Sequence, residues 1–115
     1  ALDRARAGYA AHGIEPSDLQ SIAAAYDRAV EADDGAIASA DVVTLISTAI
    51  GDHLVAAAGH RWVVSTDPFG TDLAGEPPRH GSPVVTRTMV AVRWMGRERG
   101  WIPGVVGHLA RAGRG

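Results

Sequence analysis

IGDHLVAAAGHRWVVSTDPFGTDLA, running from Ile50 to Ala74, is the stretch that decides the fold. Ile50 to Ala58 reads as the end of a buried helix. Gly59 stops that helix, because glycine takes the left-handed position after a helix without a Cβ penalty. Arg61-Trp62-Val63-Val64-Ser65 is aromatic and β-branched, hence a strand. Asp67-Pro68-Phe69-Gly70 places Asp at the first turn position, Pro at the second and Gly at the fourth, which predicts a type I turn. Thr71 to Ala74 then returns antiparallel.

Moving towards the N-terminus, Val42 to Ala58 is apolar around most of its circumference: Val42, Val43, Leu45, Ile46, Ala49, Ile50, Leu54 and Val55. A helix of that kind is central and buried. Asp41 is its expected cap. Gly51 costs about 1 kcal/mol against Ala in a helix interior, and the expected reason for it is close approach of another backbone. Leu19, Ile22, Ala23, Tyr26 and Val30 follow helical spacing. Ser17 and Gln20 match a capping box ahead of them, Ile14 is a candidate staple, and Asp33-Asp34-Gly35 closes the helix. Residues 1–11 predict a first helix, ended by His12-Gly13.

Towards the C-terminus, Gly75 to Ser82 is a polar Pro/Gly loop, and Pro83 to Thr86 predicts a third short strand. The next run is ambiguous. Thr86, Thr88, Val90, Val92 and Trp94 alternate as a strand would, whereas Val85, Met89 and Val92 fall at helical spacing. Its length favours a helix from Arg87 to Arg97. Trp101-Ile102-Pro103 opens a last helix with Pro in its first turn, burying Val105, Val106 and Leu109. Arg111 to Gly115 reads as a tail.

A chain of 115 residues predicts one domain, able to bury a core without disulfides. Within it, 1–35 is an N-terminal helical segment and 41–112 the core. The absence of Cys excludes thiol catalysis and Cys-based zinc sites. All eleven basic residues are Arg, with Lys and Asn absent, which suggests a GC-rich bacterial genome. Residues 1–55 carry nine acids against Arg4, Arg6 and Arg28, a balance of −6, and residues 56–115 carry +4. Two solvated halves that attract each other are the simpler reading. An acidic face for a basic partner is the sharper one. No charge-free apolar run approaches about 18 residues, and no secretory signal pattern is visible, so a cytoplasmic location is expected. The chain begins at Ala1 without Met, so a removed leader would not show.

Gly51-Asp52-His53-Leu54, Gly59-His60-Arg61-Trp62-Val63, Asp67-Pro68-Phe69-Gly70 and Asp72-Leu73-Ala74 form one set of motifs. Met89-Val90-Ala91-Val92-Arg93-Trp94 and Gly100-Trp101-Ile102-Pro103 join them. Together they make the chain resemble the actinobacterial domain of unknown function family 3806, from Val42 to Leu109. Gly75 stands where that family suggests an apolar residue, and Val92 where it suggests a basic one. The resemblance implies a fold and a bacterial origin, and carries over no catalytic residue.

Candidate sites compete with simpler readings. His53 and His60 share a helix face only at about 10 Å, given a ~1.5 Å rise per residue, too far for easy zinc chelation even with Asp52 or Asp67. Asp67, Asp72 and Glu76 lack the calcium-loop spacing, and a turn explains them. Arg87, Arg93, Arg97 and Arg99 with Trp94 and Trp101 suggest nucleic-acid stacking, but Glu98 interrupts the strip and no nucleic-acid motif accompanies it. Ser47, Ser65 and Ser82 lack a nucleophile context, and Glu98 has no second carboxylate beside it.

The expectation is therefore an α+β fold: a small antiparallel three-stranded sheet on about four to five helices, with helix 42–58 central. The expected function is a non-enzymatic protein-interaction domain, such as an immunity-type or regulatory inhibitor. Its expected contacts are Asp27, Glu31, Asp33 and Asp34 on the acidic side, and Arg93, Trp94, Arg97 and Trp101 beyond it. No cofactor, metal ion, nucleic acid or membrane is expected, and a homodimer is the alternative to a foreign partner. A small-ligand or metal-binding domain rimmed by His53, His60 and residues 75–82 is the second class.

Overall fold

The computed structural model describes residues 2–32, 38–68, 70–79 and 81–114. Among the described residues, four helices and a two-stranded antiparallel sheet pack on a fifth, central helix. In chain order they are α1 (Leu2–Arg6), a 3-10 turn (Ala10–His12), α2 (Leu19–Glu31), α3 (Ser39–Ala58), β1 (Arg61–Asp67), β2 (Gly70–Glu76), α4 (Thr86–Met95) and α5 (Ile102–Arg114).

The central helix is α3, as its all-round apolar sequence predicts. Val42, Val43, Ile46, Ala49, Ile50 and Leu54 are buried, and α1, α2, α4, α5 and the hairpin all contact it. Its length and mean hydropathy of 1.3 would also suit a membrane span. Here the other elements cover it, and buried Ser47, Thr48 and His53 lie along it, so it is read as a core helix. It starts earlier than expected, at Ser39. Ala38 takes the cap position without a side-chain bond, and Asp41 lies inside the first turn, where a carboxylate favours the helix dipole.

Gly51 is explained by a side chain rather than a backbone. A Cβ there would overlap the six-membered ring of Trp62, which lies across the helix from β1. Gly59 closes α3 in the left-handed conformation at φ 71°, as expected. Gly13 does the same at φ 68° after the 3-10 turn. The N-terminal helix is shorter than expected: α1 ends at Arg6, and a turn precedes Ala10–His12. The cap of α2 is Asp18, not Ser17. The Asp18 carboxylate accepts from the Gln20 N–H at 3.1 Å, while the Ser17 hydroxyl donates to Glu15. Asp33-Asp34-Gly35 lies outside the described residues.

The hairpin pairs Arg61 with Glu76 through to Asp67 with Gly70, so both strands run past the expected limits. Phe69 of the predicted turn lies outside the described residues. The third strand is reduced to one bridge, Gly75 with Val84, its two hydrogen bonds each 2.9 Å. Pro83 has no N–H to extend the ladder, and Thr86 already begins α4. The ambiguous run is the helix that its length favours, but Thr86, Val90 and Trp94 form its buried stripe and Val92 faces out. The expected tail is helical: α5 continues to Arg114. Ile102, Val106 and Ala110 are its buried residues, with Val105 and Leu109 half-buried.

Candidate functional site

Six of the eight predicted contact residues meet at one corner, where the last turn of α4 and the loop before α5 pack against α2. Tyr26 of α2 is fully buried there. Trp94 meets it edge-on at 6.1 Å between ring centroids, and Trp101 does so at 5.6 Å. Such edge contacts add about 0.5–1.5 kcal/mol each beyond burial. The Arg93 guanidinium lies over Trp101 at 4.6 Å, and that of Arg97 over Trp94 at 4.3 Å. Arg93 also donates to the Met89 carbonyl at 3.1 Å, and Arg97 donates to the Trp94 carbonyl. Arg97 itself has a left-handed backbone at φ 51°, which turns the chain out of α4.

The acids of α2 fasten the same corner. Glu31 pairs with Arg99 at 2.6 Å, and the Asp27 carboxylate accepts the Gly100 N–H at 3.2 Å. Asp33 and Asp34 lie outside the described residues. Trp94 is only 4% exposed and Trp101 half-buried, so both indoles are anchors beneath the arginines rather than a stacking surface. Beside the exposed Glu31, Arg97, Glu98 and Arg99, α4 shows Val92 at 61% and Met95 at 81% exposure, three residues apart. Three buried polar atoms here have no hydrogen-bond partner among the described residues: the Tyr26 hydroxyl and the indole nitrogens of Trp94 and Trp101. Burial raises the Tyr26 phenol above its ordinary pKa, so it stays protonated.

A second constellation was not foreseen. The Asp52 carboxylate accepts from Arg6 Nε at 2.9 Å, Arg6 Nη2 at 2.7 Å, the Tyr9 hydroxyl at 2.7 Å and Trp62 Nε1 at 3.0 Å. Burial alone would raise this carboxyl, but the bonds from Arg6, Trp62 and Tyr9 outweigh it and hold the pKa below 3.8. The bond to Asp52 raises the Arg6 pKa, and burial followed by the same carboxylate raises that of Tyr9. The signal was an acid in the most apolar helix of the chain, which demands partners. Its role is structural, since it joins the N-terminal segment, α3 and β1.

The two histidines do not share a site. His53 Nδ1 donates to the Pro16 carbonyl at 2.7 Å. His60 is 3% exposed with neither ring nitrogen hydrogen-bonded, and burial lowers its pKa from 6.5. Asp72 pairs with Arg87 at 3.7 Å and Glu76 with Arg61 at 2.8 Å. Among the described residues no three His, Asp or Glu are placed to hold a metal ion. Arg87 sits in the first turn of α4, away from Arg93 in its last turn and from Arg97 and Arg99 beyond it, so the four arginines do not form one strip.

No family model, curated protein or solved structure matches the chain. The fold is thus carried by the structure itself, and the corner by its own geometry.

Proposed function

We propose that this chain is a non-enzymatic protein-interaction domain, of the immunity-type or regulatory-inhibitor kind, whose partner docks on the α4 corner. The observation behind this reading is the exposure of Val92 and Met95 on one face of α4, a helix whose opposite, buried stripe is anchored through Trp94 against Tyr26 and Arg97. Binding energy in protein interfaces concentrates on Trp, Tyr and Arg, and Met is enriched there. The corner's charges balance, with Asp27, Glu31 and Glu98 against Arg93, Arg97 and Arg99. Apolar contact therefore provides the affinity, and the acid excess of residues 1–55 steers a basic partner on approach. A cytoplasmic location, a foreign protein rather than a second copy, and kinship with family 3806 belong to the same proposal.

The test places a photo-crosslinking amino acid at Met95 and, separately, at exposed Ala7 in the N-terminal segment. One protein of fixed stoichiometry, crosslinked from position 95 alone and lost with Val92→Asp, supports the reading. Equal capture from both positions, or a crosslinked homodimer, rejects it.

A further inference from the structure

A hollow of about 700 Å³ opens between the N-terminal segment, α2 and the first half of α3. That volume lies within the ~300–1,000 Å³ of small-molecule sites. Ala5, Ala29, Val42 and Leu45 supply apolar wall, and small side chains on α2 leave the space unfilled. Among the described residues, the charged lining is mostly positive: Arg4, Arg28 and Arg87 reach it together with His12, against Asp41. Asp41 lies in the first turn of α3, where the helix dipole offsets its charge. Three guanidiniums thus border an apolar hollow built mostly from the half of the chain whose balance is −6.

We infer that this hollow binds a small apolar anion, with a hydrocarbon or aromatic body against the alanine and leucine wall and a carboxylate or phosphate head on the arginines. The walls exclude a strongly polar body, because it would meet few partners there. The rim selects charge, because Arg presents a planar fork to carboxylate and phosphate oxygens. Arg28 already donates to the His12 carbonyl at 2.6 Å, and Arg87 donates to the Thr44 hydroxyl at 3.2 Å and pairs with Asp72 at 3.7 Å, so both are held in place and Arg87 is partly neutralised. Arg4 has no hydrogen-bond or ion-pair partner among the described residues and is available to the ligand.

This site is separate from the α4 corner. At about 100° per residue, Ala25, Arg28, Ala29 and Ala32 occupy one face of α2, Asp27 and Glu31 the opposite one, and Tyr26 the flank between them. Failure at either site is therefore read independently.

The experiment titrates the intact chain with sodium decanoate, decyl phosphate and 1-decanol by calorimetry, alongside thermal unfolding. The anions are expected to bind at one saturable site and to raise the melting temperature. Decanol, with the same body and no charge, is expected to bind at least about tenfold more weakly. Arg4→Glu should weaken the anions about tenfold and leave decanol binding and the unliganded melting temperature unchanged. Ala29→Phe should fill the hollow and abolish binding of all three; if that variant fails to fold, Arg4→Glu decides. The tighter of the two anions assigns the head group. No saturable binding by any probe, decanol as tight as decanoate, or anion binding indifferent to both Arg4→Glu and Arg28→Gln would overturn the inference.

Discussion

Removing the Asp52 carboxylate should loosen the whole N-terminal segment, and the size of the effect can be built from its donors. The Arg6 pair is bidentate, but the Arg6 side chain is 40% exposed, so solvent screening limits its share to about 1 kcal/mol or less. The Tyr9 hydroxyl and Trp62 Nε1 each bond a charged acceptor, a class worth about 1.5–3 kcal/mol. Both rings are half-buried, which puts them at the low end of that range. Asp52→Ala is thus expected to cost about 3–4 kcal/mol. Asp52→Asn keeps an acceptor for one donor and should cost roughly half as much. For a chain of this size, the Ala variant should melt on the order of 10–15 °C lower.

Urea unfolding followed by tryptophan fluorescence reads the first number, and amide exchange localises it. Amides of residues 2–12 should exchange faster, while those of buried Ile46 to Leu54 fall only by the global loss. The acid limb supplies a second readout. The Asp52 pKa is depressed in the folded state, so its contribution is complete above the unfolded value of about 3.8 and is lost as pH falls through the folded one. Asp52→Ala should flatten that limb. A variant within about 0.5 kcal/mol of wild type, or one with an unchanged acid limb, would refute the argument that this carboxylate joins the three segments.

Two further outcomes follow from buried side chains. Gly51→Ala gains about 1 kcal/mol of helix propensity but forces the Trp62 ring aside, at an overpacking cost of roughly 1–3 kcal/mol. It should destabilise wild type yet stabilise a Trp62→Ala background, and equal effects in both backgrounds would show that the ring is not the obstacle. His60 is buried neutral, so the unfolded state takes up its proton first as pH falls below 6.5. Urea stability should then drop by up to about 1.4 kcal/mol per pH unit until the folded pKa is reached. His60→Leu should remove that dependence, and an identical pH profile in the variant would count against the burial argument.

Local chemistry made much of this fold legible. Gly13 and Gly59 mark helix ends because their backbones take positive φ. The β-branched run after Gly59 is a strand, and α3 is central because most of its circumference is apolar. The failures have physical causes too. Val84 looked like a strand residue, but the proline before it allows only one bridge. Gly51 was correctly read as a point of close approach, yet a sequence does not show whether a backbone or an indole approaches. The Asp52 partners stand 43 and 46 residues away in α1 and its following turn, beyond any periodic signal. The contact residues were chosen as two separate groups, acids on α2 and Arg/Trp pairs near α4. That they form one corner follows only from the packing of α2 against α5.

The charge division of the chain gains a more specific meaning from this packing. Asp52 and Arg6 both belong to residues 1–55, so that acid's charge is paired within its own half, with Trp62 of the other half donating one further bond. Glu31 reaches across to Arg99, and Asp27 to the backbone of Gly100, so these acids clamp the corner before they can meet a partner. Attraction between the halves thus accounts for part of the acid excess without any second molecule. Exposed pairs such as Glu31–Arg99 contribute little stability, about 0–1 kcal/mol, and can exchange partners cheaply. A basic partner could then displace Arg99 from Glu31 at small cost. Its affinity would still have to come from Val92 and Met95, where desolvation of exposed apolar surface is favourable. Salt should accordingly slow association at the corner more than it speeds release.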